Sequence, residues 1–537
     1  MKRLQQIFCL VLLTAVLGCN KKEEDFIMPA PQILSVDPIQ AVITQEAGRE
    51  VRLTFNLKAA SGLSQLSVNR NGSEFAKTDY VRDEISATYT FNFTIPVGTP
   101  AGTKFNFNIA LKDKEGRDTS YDFAINVNQV LFITEGTIGS TPVKYIKGKI
   151  NGNFTIAATD VYVVDSILSV NEGGILTINP GSTVYFKTSN NLQEISRLVI
   201  SQGCKIRAEG TRTAPIVFTS DKLLKGETPA STDWGGVFIH GFAPTNQGNV
   251  IQENGFRYGG SVTNDDSGAL QYVRLEYAGK NGSNALNFYG VGSRTRVNYV
   301  QIFKNENIAF RVKGGVFNMK NIAAIGHGGY GIWAEHGWQG NGQFWIFQTD
   351  RPATLVPINF WNQARSMEFR SDDNFFTRAP RTQFNIANVT VIGNGYAAGT
   401  DMGTRRGIRV RTGAFGVLQN MIVTQFANDA VRVEDLNSTE YGTTMQLGNV
   451  RSFNNNVNYE GDANTFFFNK GSFNVTDAAV PGISTTNFVG SATSTFNPTS
   501  LGSFFSAASY IGAVENDAAD WTKGGIWFKN LNGTIRP

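Results

Sequence analysis

The chain has 537 residues with 48 Lys and Arg against 44 Asp and Glu, near-balance that argues against a nucleic-acid partner, which needs a concentrated basic face. A chain of this length exceeds one ordinary core, and 56 Gly and 39 Phe favour many short strands with tight turns over long helices. Of the 3 cysteines, Cys9 and Cys19 fall in the first 25 residues and leave Cys204 alone, so the rest of the chain holds no intramolecular disulfide and no cysteine-based zinc site.

In chain order, Lys2 and Arg3 give a cationic start, and Ile7 to Val16 is an apolar run too short for a permanent membrane span. Small Gly18 precedes Cys19, and the whole resembles a bacterial lipoprotein signal with its lipobox. The resemblance implies cleavage after residue 18, acylation of Cys19, and anchoring in the outer membrane by several acyl chains. Asn20 to Asp25 resembles the charged surface-export signal of Bacteroidota lipoproteins, which implies a chain facing the cell exterior. Residues 19–31 then read as a tether.

Residues 32–130 alternate apolar and polar, as in Val51-Arg52-Leu53-Thr54-Phe55-Asn56-Leu57, between Gly, Asn and Asp turns. Period-two spacing at this density predicts an antiparallel sandwich, and it resembles the immunoglobulin-like spacers at the base of Bacteroidota surface lipoproteins.

From residue 131 to 537 the pattern becomes a two-part phrase. Its first part recurs as Leu270 to Leu275, Val297 to Ile302, Met319 to Ala324, Ile386 to Val391, Leu418 to Val423 and Leu447 to Ser452. Its second part is a small residue, then apolar, variable, apolar: Ala285 to Phe288, Ala309 to Val312, Gly331 to Ala334, Ser366 to Phe369, Gly407 to Val410 and Ala430 to Val433. One phrase per coil of a β-solenoid fits this spacing and predicts an internal ladder of Asn321, Asn388, Asn420 and Asn449, each amide bonding its neighbour or a turn backbone.

The segments LTINPGSTVYF, GCKIRAEGTRTAPIVFTS, DWGGVFIHG, LQYVRLEYAG, GVGSRTRVNYVQI, GWQGNGQFW and YIGAV resemble a family of right-handed parallel β-helix proteins common in Bacteroidota, over roughly residues 140–537. The resemblance implies an all-β fold and says little of reaction. The family's acidic cluster before the Gly-Trp segment is replaced here by Gly326 to Tyr330, which weakens any metal role of that place.

Three constellations could carry chemistry. The preferred one is aromatic and polar: Trp333, Glu335, His336, Trp338, Gln343 and Trp345, with His327 and Gln348 close by, suited to stacking on sugar rings. Arg409 and Arg411, beside Arg405 and Arg406, alternate on a predicted strand and should share an outward face for an anion or uronate. Glu368, Asp372 and Asp373, like the pair Asp265-Asp266, could offer oxygen ligands to calcium; no other cofactor is expected. Three histidines in all argue against a histidine-rich metal site.

The expectation is a lipid-anchored surface protein whose solenoid binds a glycan or a partner protein without catalysis. Its rivals are a polysaccharide lyase or glycoside hydrolase on the same flank, and an accessory subunit of an outer-membrane transport or assembly complex.

Overall fold

The computed structural model describes residues 28–96, 99–100, 102–128, 130–350, 364–395, 405–471, 473–490 and 492–537; the signal and Cys19 lie outside them. The chain divides into two compact units, one ending at Asn128 and the other running from residue 129 to Pro537.

The first unit is a sandwich of two sheets. One orders the strands Gln32–Asp37, Glu50–Lys58 and Ser86–Thr94; the other orders Val42–Gln45, Asp118–Val127, Lys104–Asp113, Leu63–Arg70 and Ser73–Asp79. Alternation in Glu50–Lys58 puts Val51, Leu53, Phe55 and Leu57 inside and the intervening residues towards solvent. Phe107 and Phe123 stack at 5.3 Å in the core, and Phe91 meets both edge-on.

The second unit is a right-handed parallel β-helix, opened by the hairpin Leu131–Ile138 with Thr141–Asn151. Each coil contributes a strand to three parallel faces. The first face stacks Val237–His240, Leu286–Tyr289, Ile308–Lys313, Tyr330–Glu335, Arg365–Arg370, Arg406–Arg411, Asp429–Val433 and Val457–Gly461. The second and third faces are the two halves of longer strands such as Asn318–His327, Gln339–Thr349 and Gln383–Ile392. Inward side chains from all three, among them Leu286, Val300, Met319, Trp345, Phe369 and Val389, fill one continuous core.

The bend between the second and third faces is made by one residue per coil at positive φ: Tyr272, Tyr299, Asn321, Phe344, Asn388, Asn420 and Asn449. These are the equivalent positions of the repeat phrase, in register from coil to coil. Asparagine recurs there because its short polar side chain tolerates the left-handed conformation.

The asparagines align, with Phe344 standing between Asn321 and Asn388; Asn449 Oδ1 accepts from the next amide of the row, Asn474 Nδ2, at 2.7 Å, whereas the amides of Asn388 and Asn420 bond backbone carbonyls of the C-terminal segment instead of one another. Asn388 Nδ2 donates to Tyr510 O at 2.8 Å, and Asn420 Nδ2 donates to Ala508 O at 3.1 Å and Phe496 O at 3.2 Å. That segment leaves the last coil after Thr476 and runs back along the third face as a strap. Its Phe488, Val514, Trp521, Trp527 and Phe528 bury the outward residues Ala323 and Ile346 in a second hydrophobic core.

Candidate functional site

The first face gathers most of the residues singled out by sequence, and gives them different work. Strand register lines up Arg311, Trp333, Glu368, Arg409 and Arg432 in one outward row, with Lys313, Glu335, Arg370 and Arg411 beside them. The Trp333 ring is already engaged by two cations: the Arg311 guanidinium lies 4.4 Å and the Arg370 guanidinium 4.3 Å from the ring centroid. A sugar stacking on Trp333 would have to compete with these two guanidinium groups.

Glu368 is fully buried and holds three arginines, Arg365 at 3.0 Å and Arg370 and Arg411 at 2.8 Å each. Arg409 and Arg432 share Glu434, and Arg311 pairs with Glu335. Burial alone would raise the Glu335 carboxyl, but Arg311 and its neighbours outweigh it and hold it down at about 2. Burial lowers the His336 imidazole, with Glu335 opposing. The face is a lattice of ion pairs, so Arg409 and Arg411 do point outward together but are already committed to carboxylates.

Trp338 and Trp345 lie in the coil interior with no exposure, their indole N–H groups donating to Phe317 O and Met319 O. They are core residues, not ligand platforms. Gln343 sits on the second face, buried, its amide exchanging hydrogen bonds with the Ser506 backbone at 2.9 and 2.8 Å. His327 is buried beside Ser366, and burial pushes its imidazole down to about 3.

The proposed calcium carboxylates are likewise occupied. Asp372 Oδ1 accepts the N–H groups of Asn374 and Phe375, and its Oδ2 takes Gln247 at 2.8 Å and Arg378 at 2.9 Å. Asp373 is exposed and faces Arg370 at 3.1 Å. Glu368 offers its oxygens to guanidinium groups, a donor set suited to cations already bound rather than to a metal. Among the described residues no group of three or more His, Cys, Asp or Glu is placed to hold a metal ion.

The second face carries an open groove that sequence reading missed. The outward row there runs Arg207, Ala269, Arg296, Asn318. Long arginines flank the small Ala269, and Gly268 beside it has φ 107° with Ile206 O only 1.9 Å from where a Cβ would stand, so the coils close tightly and leave a trough above. A cavity of about 320 Å³ results, lined by Lys205, Arg207, Glu209, Asp266, Arg294 and Arg296.

Two of its four cations are matched: Arg296 pairs with Glu209 at 2.7 Å and Lys205 with Asp266 at 2.5 Å. Arg207 and Arg294 are exposed and make no ion pair among the described residues. Burial would raise Asp266, but hydrogen bonds from Lys205 and the Gly268 N–H prevail and lower it, so this carboxylate stays ionised.

A second cavity of about 320 Å³ shares Ala269 and Arg296 with the first and continues past Gln271, Asn298, Asn318, Lys320 and Phe504. Beyond it lies an amide ladder on the second face. Asn341 Nδ2 donates to Asn318 Oδ1 and Asn385 Nδ2 to Asn341 Oδ1, both at 3.1 Å. The alternation Lys205, Arg207, Glu209 and the pair Arg294, Arg296 were the available signals; only coil register shows that they meet.

Residues 148–527 match the model of the pectate-lyase-like β-helix domain. No curated protein and no solved structure matches the chain.

Proposed function

The chain belongs to the pectate-lyase-like β-helix domain family, and from that premise we propose that its solenoid binds an extended acidic glycan along the second-face groove without cleaving it. One observation carries the reading: four cations line the trough against the two carboxylates Glu209 and Asp266, and Arg207 and Arg294 form no ion pair there among the described residues, while the arginines of the first face are each paired with a carboxylate. Guanidinium forks suit carboxylate and sulfate groups, and the adjoining amides of Gln271, Asn298 and Asn318 suit hydroxyls. In this reading acylated Cys19 holds the chain on the outer membrane, facing outward, and residues 32–130 act as an immunoglobulin-like spacer.

A lyase is the second reading, favoured by the basic Arg207 beside the carboxylates of Glu209 and Asp266. Hydrolysis fits less well, since it asks for a carboxyl group poised as a proton donor, and Asp266 is held ionised.

The test is calorimetric binding of oligogalacturonate and of a matched neutral galactan, with parallel detection of unsaturated or reducing ends. Binding of the acidic chain, weakened about tenfold or more by R207A or R294A and steeply by added salt, is expected. Loss of binding in R409A but not in R207A would move the site to the first face. New unsaturated ends would replace binding by lyase chemistry.

A further inference from the structure

We propose that Phe504, delivered by the C-terminal strap, is the specificity-determining residue of the groove: it supplies a ring-stacking subsite next to the guanidinium subsite. This rests on the reading of the groove as a glycan site and adds to it the kind of glycan preferred.

Phe504 is half-buried and lines the second cavity, whereas its neighbour Phe505 turns under the strap and is buried. The two rings meet edge-on at 5.1 Å. The position of Phe504 is fixed from below by side chains of two successive coils. Lys320 Nζ donates to Phe504 O at 2.9 Å and to Ser506 Oγ at 2.8 Å, and Gln343 clasps the Ser506 backbone in both directions. The same Lys320 ammonium lies 5.2 Å from the Phe504 ring and 5.8 Å from the Phe344 ring. These contacts fix the backbone at Phe504, so little main-chain freedom is lost when a ligand arrives.

The chemistry along the groove therefore changes from charge to aromatic over one shared wall. At one end Arg207 and Arg294 await an anionic group; across Ala269 and Arg296 the lining becomes Phe504 with amides. An aromatic face flanked by amides receives the C–H face of a pyranose while its hydroxyls bond the amides. The preferred ligand is thus an acidic sugar joined to a unit with an unobstructed C–H face, and a polyanion without rings engages only the arginine end.

The experiment compares two probes on the purified chain by titration calorimetry: a galacturonic acid hexasaccharide and a linear polyphosphate of similar charge. F504A is expected to weaken the hexasaccharide about five- to tenfold and leave polyphosphate binding and the salt dependence unchanged. F504W should restore hexasaccharide affinity, and F504L, which keeps apolar bulk, should not. R207A should weaken both probes and flatten the salt dependence. Hexasaccharide affinity untouched in F504A, or rescued by F504L, overturns the stacking subsite while R207A still reports on the groove. If the hexasaccharide fails to bind the unmutated chain, or binds R207A and R294A unchanged, the groove reading itself falls and this inference with it. Thermal midpoints of the variants separate loss of affinity from loss of fold.

Discussion

A corner at which every coil bends demands a residue that accepts positive φ, and at Asn388, with φ 57°, that demand coincides with burial. Its side-chain amide donates to Ala508 O at 3.3 Å and Tyr510 O at 2.8 Å and accepts from Gln343 Nε2 at 3.2 Å. Asn388→Ala removes the conformational tolerance, about 1–2 kcal/mol, and leaves buried partners unpaired at about 1–3 kcal/mol. A loss of about 2–5 kcal/mol in urea unfolding is expected, with Asn388→Gly recovering the backbone part alone. The shared slot of Asn321, Asn388, Asn420 and Asn449 was legible because the phrase repeats locally. The destination of their amides was not, since Ala508 and Tyr510 lie far along the chain. Trp338 and Trp345 teach the same lesson: a tryptophan beside polar residues reads as a platform, and only the strand register decides whether it points in or out.

At the scale of a strand, the first face shows how a parallel stack handles outward charge. Successive coils stand about 4.8 Å apart, so a cation on one coil finds a carboxylate on the next, as Arg411 finds Glu368 and Arg409 finds Glu434. Glu368 is the keystone because three guanidinium groups converge on a side chain with no exposure. Replacing it by Gln leaves those cations crowded and partly desolvated, and truncating one partner of a buried ionic cluster costs about 3–5 kcal/mol. E368Q is expected to lower the thermal midpoint sharply, and adding R411A should return part of the loss, a coupling that a double-mutant cycle reads directly. Additive effects of E368Q and R411A would show that the cluster does not act as a unit. That Arg409 and Arg411 share a face follows from period-two geometry and was readable; their carboxylates were not, because one lies before and one after them by more than twenty residues.

Over the whole solenoid, the strap changes what kind of object the β-helix is. A stack whose coils touch only their neighbours can open from either end, its stability a sum of local terms. Here residues from distant coils hold one segment: Asn420 binds Phe496, Arg274 binds Ile526 O and Trp527 O at 2.9 and 2.7 Å, and Arg212 NH groups reach Lys523 O at 3.1 Å. Gln301 and Lys529 exchange backbone and amide hydrogen bonds at 2.7 and 2.9 Å. Trp527 anchors the assembly, fully buried with its ring edge-on to Tyr272 at 5.5 Å and Tyr299 at 5.8 Å. Trp527→Ala should cost about 3–5 kcal/mol through the cavity it leaves. Its distinctive signature is spatial. If the strap couples the coils, amide hydrogen exchange should rise both in Gly268–Glu276, which touches Trp527, and in Gln446–Phe453, near the strap's other end. Exchange raised only around Tyr272 and Tyr299 would mean that the coils open independently and the strap merely covers them.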